Sequence, residues 1–336
     1  MLRSRMVAHR LPRGLPLFVA SALSVALAAA CAARAPRASA AEPAGPYVLV
    51  LGTAQDGGLP QIGCDERACR EARLDPSRRR LVTSLLLADP RSQKRWLVDA
   101  TPDLREQFER ARPHPPGRAP EGPRPLLFDG VFLTHAHVGH YSGLIHFGRE
   151  IHAERGLPVY VSERMSAFLS ANGPWELLSK AGHVVLLRVD EGVPIPLASD
   201  LHVHALRVPH RDEYSDTLAF LLRGPERSLL YVPDIDKWER WELRVEDVLA
   251  EVDYALVDGT FFGEGELPGR DMSAIPHPFI EESLARFADL PAPERAKIFF
   301  THLNHTNPAA DEDGTAAARV RAAGFAIARE GQVFEL

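Results

Sequence analysis

The sequence predicts a layered α/β fold, with two β-sheets packed face to face and helices on their outer sides. Two observations carry this expectation. Strand-like runs fall in two blocks, each followed by helical stretches, whereas a single doubly wound sheet would alternate strand and helix throughout. The composition is that of an ordinary globular chain, 45% hydrophobic and 25% charged over 336 residues, and no short-period repeat breaks it up. Residues 41–336 are read as one domain behind a leader of residues 1–40.

The leader carries Arg3, Arg5, Arg10 and Arg13, then an apolar run over residues 15–33, then Ala38-Ser39-Ala40 as a small-residue cleavage site. This is the pattern of a secretory signal. Cys31, after Leu27-Ala-Ala-Ala30, resembles a bacterial lipobox cysteine, with Ala28 three residues before it instead of Leu. A retained membrane anchor is the third option. The expectation is export, to the periplasm or to a membrane through a lipid at Cys31.

In chain order, Tyr47-Val-Leu-Val-Leu-Gly52 is a buried first strand, and Thr53-Ala-Gln-Asp-Gly-Gly58 is the Gly-rich turn after it. Without the Lys-Ser/Thr of a P-loop this turn is a weak phosphate signal. Strands follow over 81–88 and 95–99. Residues 102–111 fit a helix with Thr101 as N-cap and Pro102 at its first position. Residues 113–125 are a Pro/Gly-rich surface insertion. A short strand at 130–134 leads into the histidine-rich turn, and residues 143–155 read as helical. Residues 159–161, 183–189, 201–208, 217–222 and 228–232 are strand patterns, with one or two helices over 163–181. Helices over 239–251, 278–288 and 309–323 surround strands at 254–257 and 297–300, and residues 325–336 read as a closing strand pair turning at Glu330-Gly331.

The chemistry concentrates in Phe132-Leu-Thr-His-Ala-His-Val-Gly-His-Tyr-Ser-Gly143. Side chains alternate along a strand, so His135 and His137 point the same way, and the turn at Gly139 swings His140 back toward them. Imidazole is the commonest metal ligand, and a divalent ion needs three or four converging donors. Four more polar residues fall at strand ends: Asp99, His210 and Asp234 (each of the latter two directly after Val-Pro), and His302. Strand ends gathered on one edge can bring together ligands distant in sequence. His202 and His204 share a strand face with no sharp turn after them and are read as its polar side. Cys64 and Cys69 are the two cysteines behind the leader. An oxidising compartment can join them, and two thiolates alone do not complete a tetrahedral metal site. The formal net charge of −6 and the absence of a basic stripe argue against a nucleic-acid partner.

His-Ala-His-Val-Gly-His140, Val-Pro-His210, Val-Pro-Asp234 and Thr-His302-Leu-Asn-His-Thr-Asn-Pro308 resemble, in order, the motifs of the metallo-β-lactamase superfamily. Within it the chain looks most like the pyrroloquinoline quinone biosynthesis protein B group, through Gly-Gly-Leu-Pro-Gln61, Asp99-Ala-Thr-Pro-Asp103 and the stretch around Asn307-Pro308. The resemblance implies an αββα sandwich with a metal centre at one edge of two mixed sheets. His135, His137 and His210 would hold one ion, Asp234 would bridge, and His140 with His302 would serve a second. Asp99 would orient a ligand histidine, and His305 is a reserve ligand. Where the superfamily motif carries Asp, this chain has Gly139, which leaves a gap for water and weakens the second site. Where the group carries a third cysteine, this chain has Asp65-Glu66, which favours a Cys64–Cys69 disulfide over a structural zinc.

The expected activity is therefore that of an exported metallo-hydrolase using one or two Zn²⁺ ions on a small ester, phosphoester or lactone, with Asp234, Asp56, Asp271 and His277 as candidate acid/base or substrate contacts. Histidines with one carboxylate also suit non-haem iron, so an oxidative enzyme related to pyrroloquinoline quinone biosynthesis stands as an alternative. A metal-binding protein without catalysis is the third reading, prompted by Gly139.

Overall fold

The computed structural model describes residues 43–114 and 127–336. The expected leader, with Cys31, and most of the Pro/Gly-rich insertion lie outside the described residues. Among those described, no helix is long and apolar enough to cross a membrane.

Among the described residues, fourteen strands form two seven-stranded sheets. The first holds β1 (Tyr47–Gly52), β2 (Ser84–Asp89), β3 (Lys94–Val98), β4 (Gly130–Phe132), β5 (Leu157–Val161) and β6 (Val184–Arg188). The second holds β7 (Ile195–Ala198), β8 (Leu201–Val208), β9 (Thr217–Arg223), β10 (Ser228–Val232), β11 (Tyr254–Asp258), β12 (Ile298–Thr301) and β13 (Ala326–Ile327). The last strand, β14 (Val333–Glu335), returns to the first sheet beside β1. Both sheets are mixed. The β3–β6 run and the β10–β13 run are parallel, and the other pairings are antiparallel.

Alternation along the strands builds three apolar layers. Val48 and Val50 face the second sheet, with Leu85, Val98, Phe132, Phe220, Tyr231 and Leu256 in the same layer. Tyr47, Leu49 and Leu51 face the other way, toward helices that contribute Leu104, Met165 and Leu178. On the far side Leu230, Val232 and Val257 pack with Val245, Ile280 and Val320. Strands covered on both faces read as near-continuous apolar runs, which is how β1, β2 and β10 look in the sequence. Phe132 stacks on Tyr160 at 4.4 Å and meets Phe220 edge-on at 5.5 Å. It anchors the strand directly ahead of the histidine turn, and its loss would cost about 3–5 kcal/mol.

Several elements differ from expectation. The helix expected over 143–155 stops early, as an α-turn Val138–Tyr141 and a 3₁₀ stretch Ser142–Phe147. Gly143 allows this turn to lie on the 100–101 backbone. A Cβ there would sit 2.1 Å from Thr101 O, and Gly143 N donates to Ala100 O. The helix expected over 239–251 is only Val245–Ala250. Ahead of it, Trp238 and Trp241 are buried and donate their indole N–H to Ser283 Oγ and Arg207 O, which pulls the chain off a helical path. The helix assigned to Thr101 and Pro102 starts at Leu104, with Thr101 Oγ1 accepting from Asp103 N. The closing strand pair is not a hairpin, because β13 joins one sheet and β14 the other. The expected Cys64–Cys69 disulfide is not formed; both thiols are free.

Candidate metal centre

The connectivity aims many strand ends at one edge. β1 and β3 run in the same direction in the first sheet, as do β8, β10, β11 and β12 in the second. The residues that follow β1, β3, β4, β8, β10 and β12 are Asp56, Asp99, the His135–His140 turn, His210, Asp234 and His302. The sites they form overlap. His135, His137 and His210 each place a ring nitrogen within 4.8 Å of the others. So do the donor atoms of His135, His140 and Asp234, and those of Asp56, His140 and His302.

His135, His140, His277 and His302 are oriented from behind. Asp99 is fully buried and takes a left-handed backbone (φ 66), uncommon outside glycine. Its carboxylate accepts from Thr134 N (2.8 Å), Thr134 Oγ1 (3.0 Å) and His140 Nδ1 (2.9 Å). Thr134 Oγ1 also lies 3.0 Å from His135 Nδ1. The second sheet repeats the device. Asp258 accepts from Thr260 N (2.9 Å), Thr260 Oγ1 (2.7 Å) and His277 Nδ1 (2.7 Å), and Thr260 Oγ1 lies 2.8 Å from His302 Nδ1. His302, like Asp99, is left-handed (φ 61). With Nδ1 engaged, His140 and His302 leave Nε2 for the centre. His137 is turned the other way. Its Nε2 meets Glu213 Oε2 at 3.0 Å, and its Nδ1 lies 2.8 Å from His135 Nε2.

The inward atoms fit a cation. His140 Nε2, both ring nitrogens of His210, Asp234 Oδ2, His302 Nε2 and Asp56 Oδ1 are buried without a hydrogen-bond partner. Buried polar atoms are normally satisfied, so a convergent set of unpartnered ones calls for an ion. Asp234 Oδ2 lies 3.1 Å from His140 Nε2 and 3.3 Å from His302 Nε2, and Asp234 Oδ1 lies 3.6 Å from His210 Nε2. Tetrahedral donors at zinc bond lengths stand roughly 3.3 Å apart. Burial, reinforced by neighbouring imidazoles, holds His135 and His302 well below the usual histidine range and pushes His210 down to about 2. Neutral imidazoles are the form that ligates. His140 goes the other way. Burial opposes its charge, but Asp99 and Asp234 outweigh burial and raise it. Burial in turn raises Asp234, against the pull of His140. Both shifts fall at the point where a cation would supply positive charge.

Other expected residues divide. Asp56 and His277 reach the centre, His277 within 4.8 Å of donor atoms of His210 and Asp234. Asp271 does not. It is exposed, and its carboxylate accepts from Ser273 N and Oγ. His305 lies apart from the centre as well, with its ring nitrogen grouped with Cys64 and Cys69. Burial, then the Cys64 contact, pushes the Cys69 thiol up to about 11. Thr134, Glu213, Asp258 and Thr260 were missed from sequence. The one available signal was Asp258-Gly-Thr260 directly after an apolar strand, the same strand-end placement as Asp99.

The family model of the beta-lactamase superfamily domain matches residues 94–303. The chain belongs to the beta-lactamase superfamily. Among superfamily proteins it is similar to the coenzyme PQQ synthesis protein B of Nitrosococcus oceani, 28% identical over 84% of this chain and 98% of the relative. The protein of the same description from Methylorubrum extorquens is 27% identical over 86% and 100%. Among solved structures, zinc-bound PqqB from Methylobacterium extorquens aligns with TM-score 0.72 at 23% identity, over 86% of this chain and all of that one. A diphosphatase of the PhnP family aligns with TM-score 0.62 at 22% identity, over 87% and 97%. These structural likenesses support the superfamily's αββα sandwich of two mixed sheets.

Proposed function

We propose that the protein is a metal-dependent hydrolase acting on a small ester, phosphoester or lactone. The observation that carries this reading is the set of unpartnered buried donors on His140, His210, Asp234 and His302, with each of the three imidazoles facing the Asp234 carboxylate. His135, His137 and His210 would hold one ion, with Asp234 between it and a second held by His140 and His302. Zinc is the first choice for this donor set. When bound, such an ion lowers the pKa of a coordinated water to about 7, which makes a nucleophile available at neutral pH. Asp234 is placed to accept a proton at its carboxylate. Asp258 fixes the His277 ring with Nδ1 as donor, so Nε2 is left to exchange a proton with the substrate. Glu213 and the exposed Arg211 beside His137 stand where a substrate would enter.

A second reading, an iron-dependent oxidative enzyme, is favoured by the relatives' description as coenzyme PQQ synthesis proteins, since histidines with a carboxylate also suit iron. The leader pattern supports export, and the first residue of mature protein from its host should lie at or near Cys31 or Ala41.

The test is elemental analysis of protein purified without chelator, followed by turnover of chromogenic ester, phosphodiester and lactone substrates. Zinc content with hydrolysis that His137→Ala abolishes supports the reading. Iron content with oxygen consumption and no hydrolysis overturns it in favour of the second.

A further inference from the structure

The turn that carries the three histidines has one position without a side chain, Gly139, and the structure fills that space from elsewhere. A Cβ built on Gly139 would fall 2.1 Å from Asp56 Oδ1. The Asp56 carboxylate thus occupies the place that a side chain at 139 would take, where the sequence pointed to a water-filled gap. Asp56 Oδ1 is buried with no hydrogen-bond partner. It lies 3.7 Å from His140 Nε2, and Asp56, His140 and His302 place their donor atoms within 4.8 Å of one another. The other oxygen is held, since Gln55 Nε2 donates to Asp56 Oδ2 at 2.9 Å.

The turn that presents this carboxylate is itself fixed. Ala54 N donates to Leu81 O and Thr83 N to Ala54 O, which ties the turn to the entry of β2. Gln55 N donates to Leu303 O and Leu303 N to Thr53 O, which ties it to the residue after His302. Gly58 N closes it onto Gln55 O at 2.8 Å. Asp56 and His302 are therefore positioned by one shared backbone contact, and an oxygen held so firmly with nothing to bond is a ligand's oxygen.

We propose that Asp56 is a metal ligand, whose Oδ1 joins His140 Nε2, His302 Nε2 and Asp234 Oδ2 to form the second cation site. The site then has two imidazole nitrogens and two carboxylate oxygens, a set that suits zinc, manganese or iron(II). This rests on the metal-centre reading above. It assigns to the turn after β1 the carboxylate that the histidine turn lacks.

The test is zinc titration of chelator-stripped protein against a chromophoric competitor, with bound metal counted by elemental analysis after gel filtration. Asp56→Asn keeps the shape and removes the charge. It is expected to bind one equivalent at least 30-fold more weakly than the unaltered chain, with the remaining equivalents unchanged. Gly139→Ala reaches the same end independently, because its methyl would expel the carboxylate without removing it, and the same equivalent should weaken. Asp271→Asn, an exposed carboxylate, should change nothing. Far-UV circular dichroism of the stripped proteins checks folding, and the two variants perturb the turn differently, so one misfolded variant leaves the other to decide. If both fold and bind every equivalent as tightly as the unaltered chain, the proposal is overturned. If His137→Ala loses an equivalent while Asp56→Asn loses none, the metal-centre reading survives and this assignment alone falls. If the unaltered chain takes up no metal through its histidines, both fall.

Discussion

Thr260 shows how much of the centre depends on groups that do not face it. Its hydroxyl donates to Asp258 and meets Nδ1 of His302, so it settles which nitrogen of that ring points inward. Removing it with Thr260→Val should weaken metal binding about 10- to 100-fold, and Thr260→Ser should restore most of the loss, both read by competition with a chelator. The gathering of the strand-end histidines and Asp234 was legible because their positions follow from simple rules. Strand alternation puts His135 and His137 on one side, and Val-Pro before His210 and Asp234 fixes the exit of the chain. Thr260, Asp258 and Glu213 were not legible, because a threonine or carboxylate after a strand is ordinary and its role exists only through a neighbour far away in sequence. His305, the reserve candidate, lies elsewhere. It is three residues from His302, yet the left-handed backbone at His302 and the Asn304 N–Thr260 O bond send the chain away, toward the cysteines.

Among elements, the β2–β3 turn ties the sheets together at a distance from the candidate metal centre. Arg91 donates to Asp89 Oδ1 at 2.9 Å and to both oxygens of Asp200, in the β7–β8 turn, at 2.8 Å. Burial opposes ionisation of Asp89, but the bonds from Arg91 and Ser92 outweigh it and hold its carboxyl below the usual range. A depressed folded pKa stabilises the fold above the unfolded value and ceases to do so as pH falls through the folded one. Arg91 is 37% exposed, so solvent discounts the effect. Arg91→Ala should lose about 1 kcal/mol at pH 7 in urea unfolding of metal-free protein, and that difference should shrink as pH falls below the usual carboxylate range. Strands were easier to read than helices here. Residues 201–208 and 228–232 are strands with the expected bounds, because strict alternation, with His202 and His204 on the polar side, marks the first and a continuous apolar run the second. The helices were overextended wherever a buried anchor such as Trp238 diverts the chain, and the two-residue β13 is too short to carry a period of its own.

For the molecule as a whole, the centre draws on both sheets, and only the native arrangement brings its donors together. A ligand that binds only the folded state stabilises it by about 4 kcal/mol at a thousandfold excess over its Kd. For a chain of this size that is a rise of several degrees in Tm. Scanning calorimetry should show this rise when zinc is added to chelator-stripped protein, and none for His137→Ala. The αββα plan was legible because strands fall in two blocks. The return of β14 to the first sheet was not, since pairing partners leave no mark in a three-residue segment. The route between the sheets also has a practical use. After β6 the chain crosses to β7 through residues 190–194, all exposed. A cut there would leave His135, His137 and His140 on one fragment and His210, Asp234 and His302 on the other. Neither fragment would own a complete site, so zinc would tighten their association, and two dyes placed on opposite sides of the cut would report free metal by energy transfer.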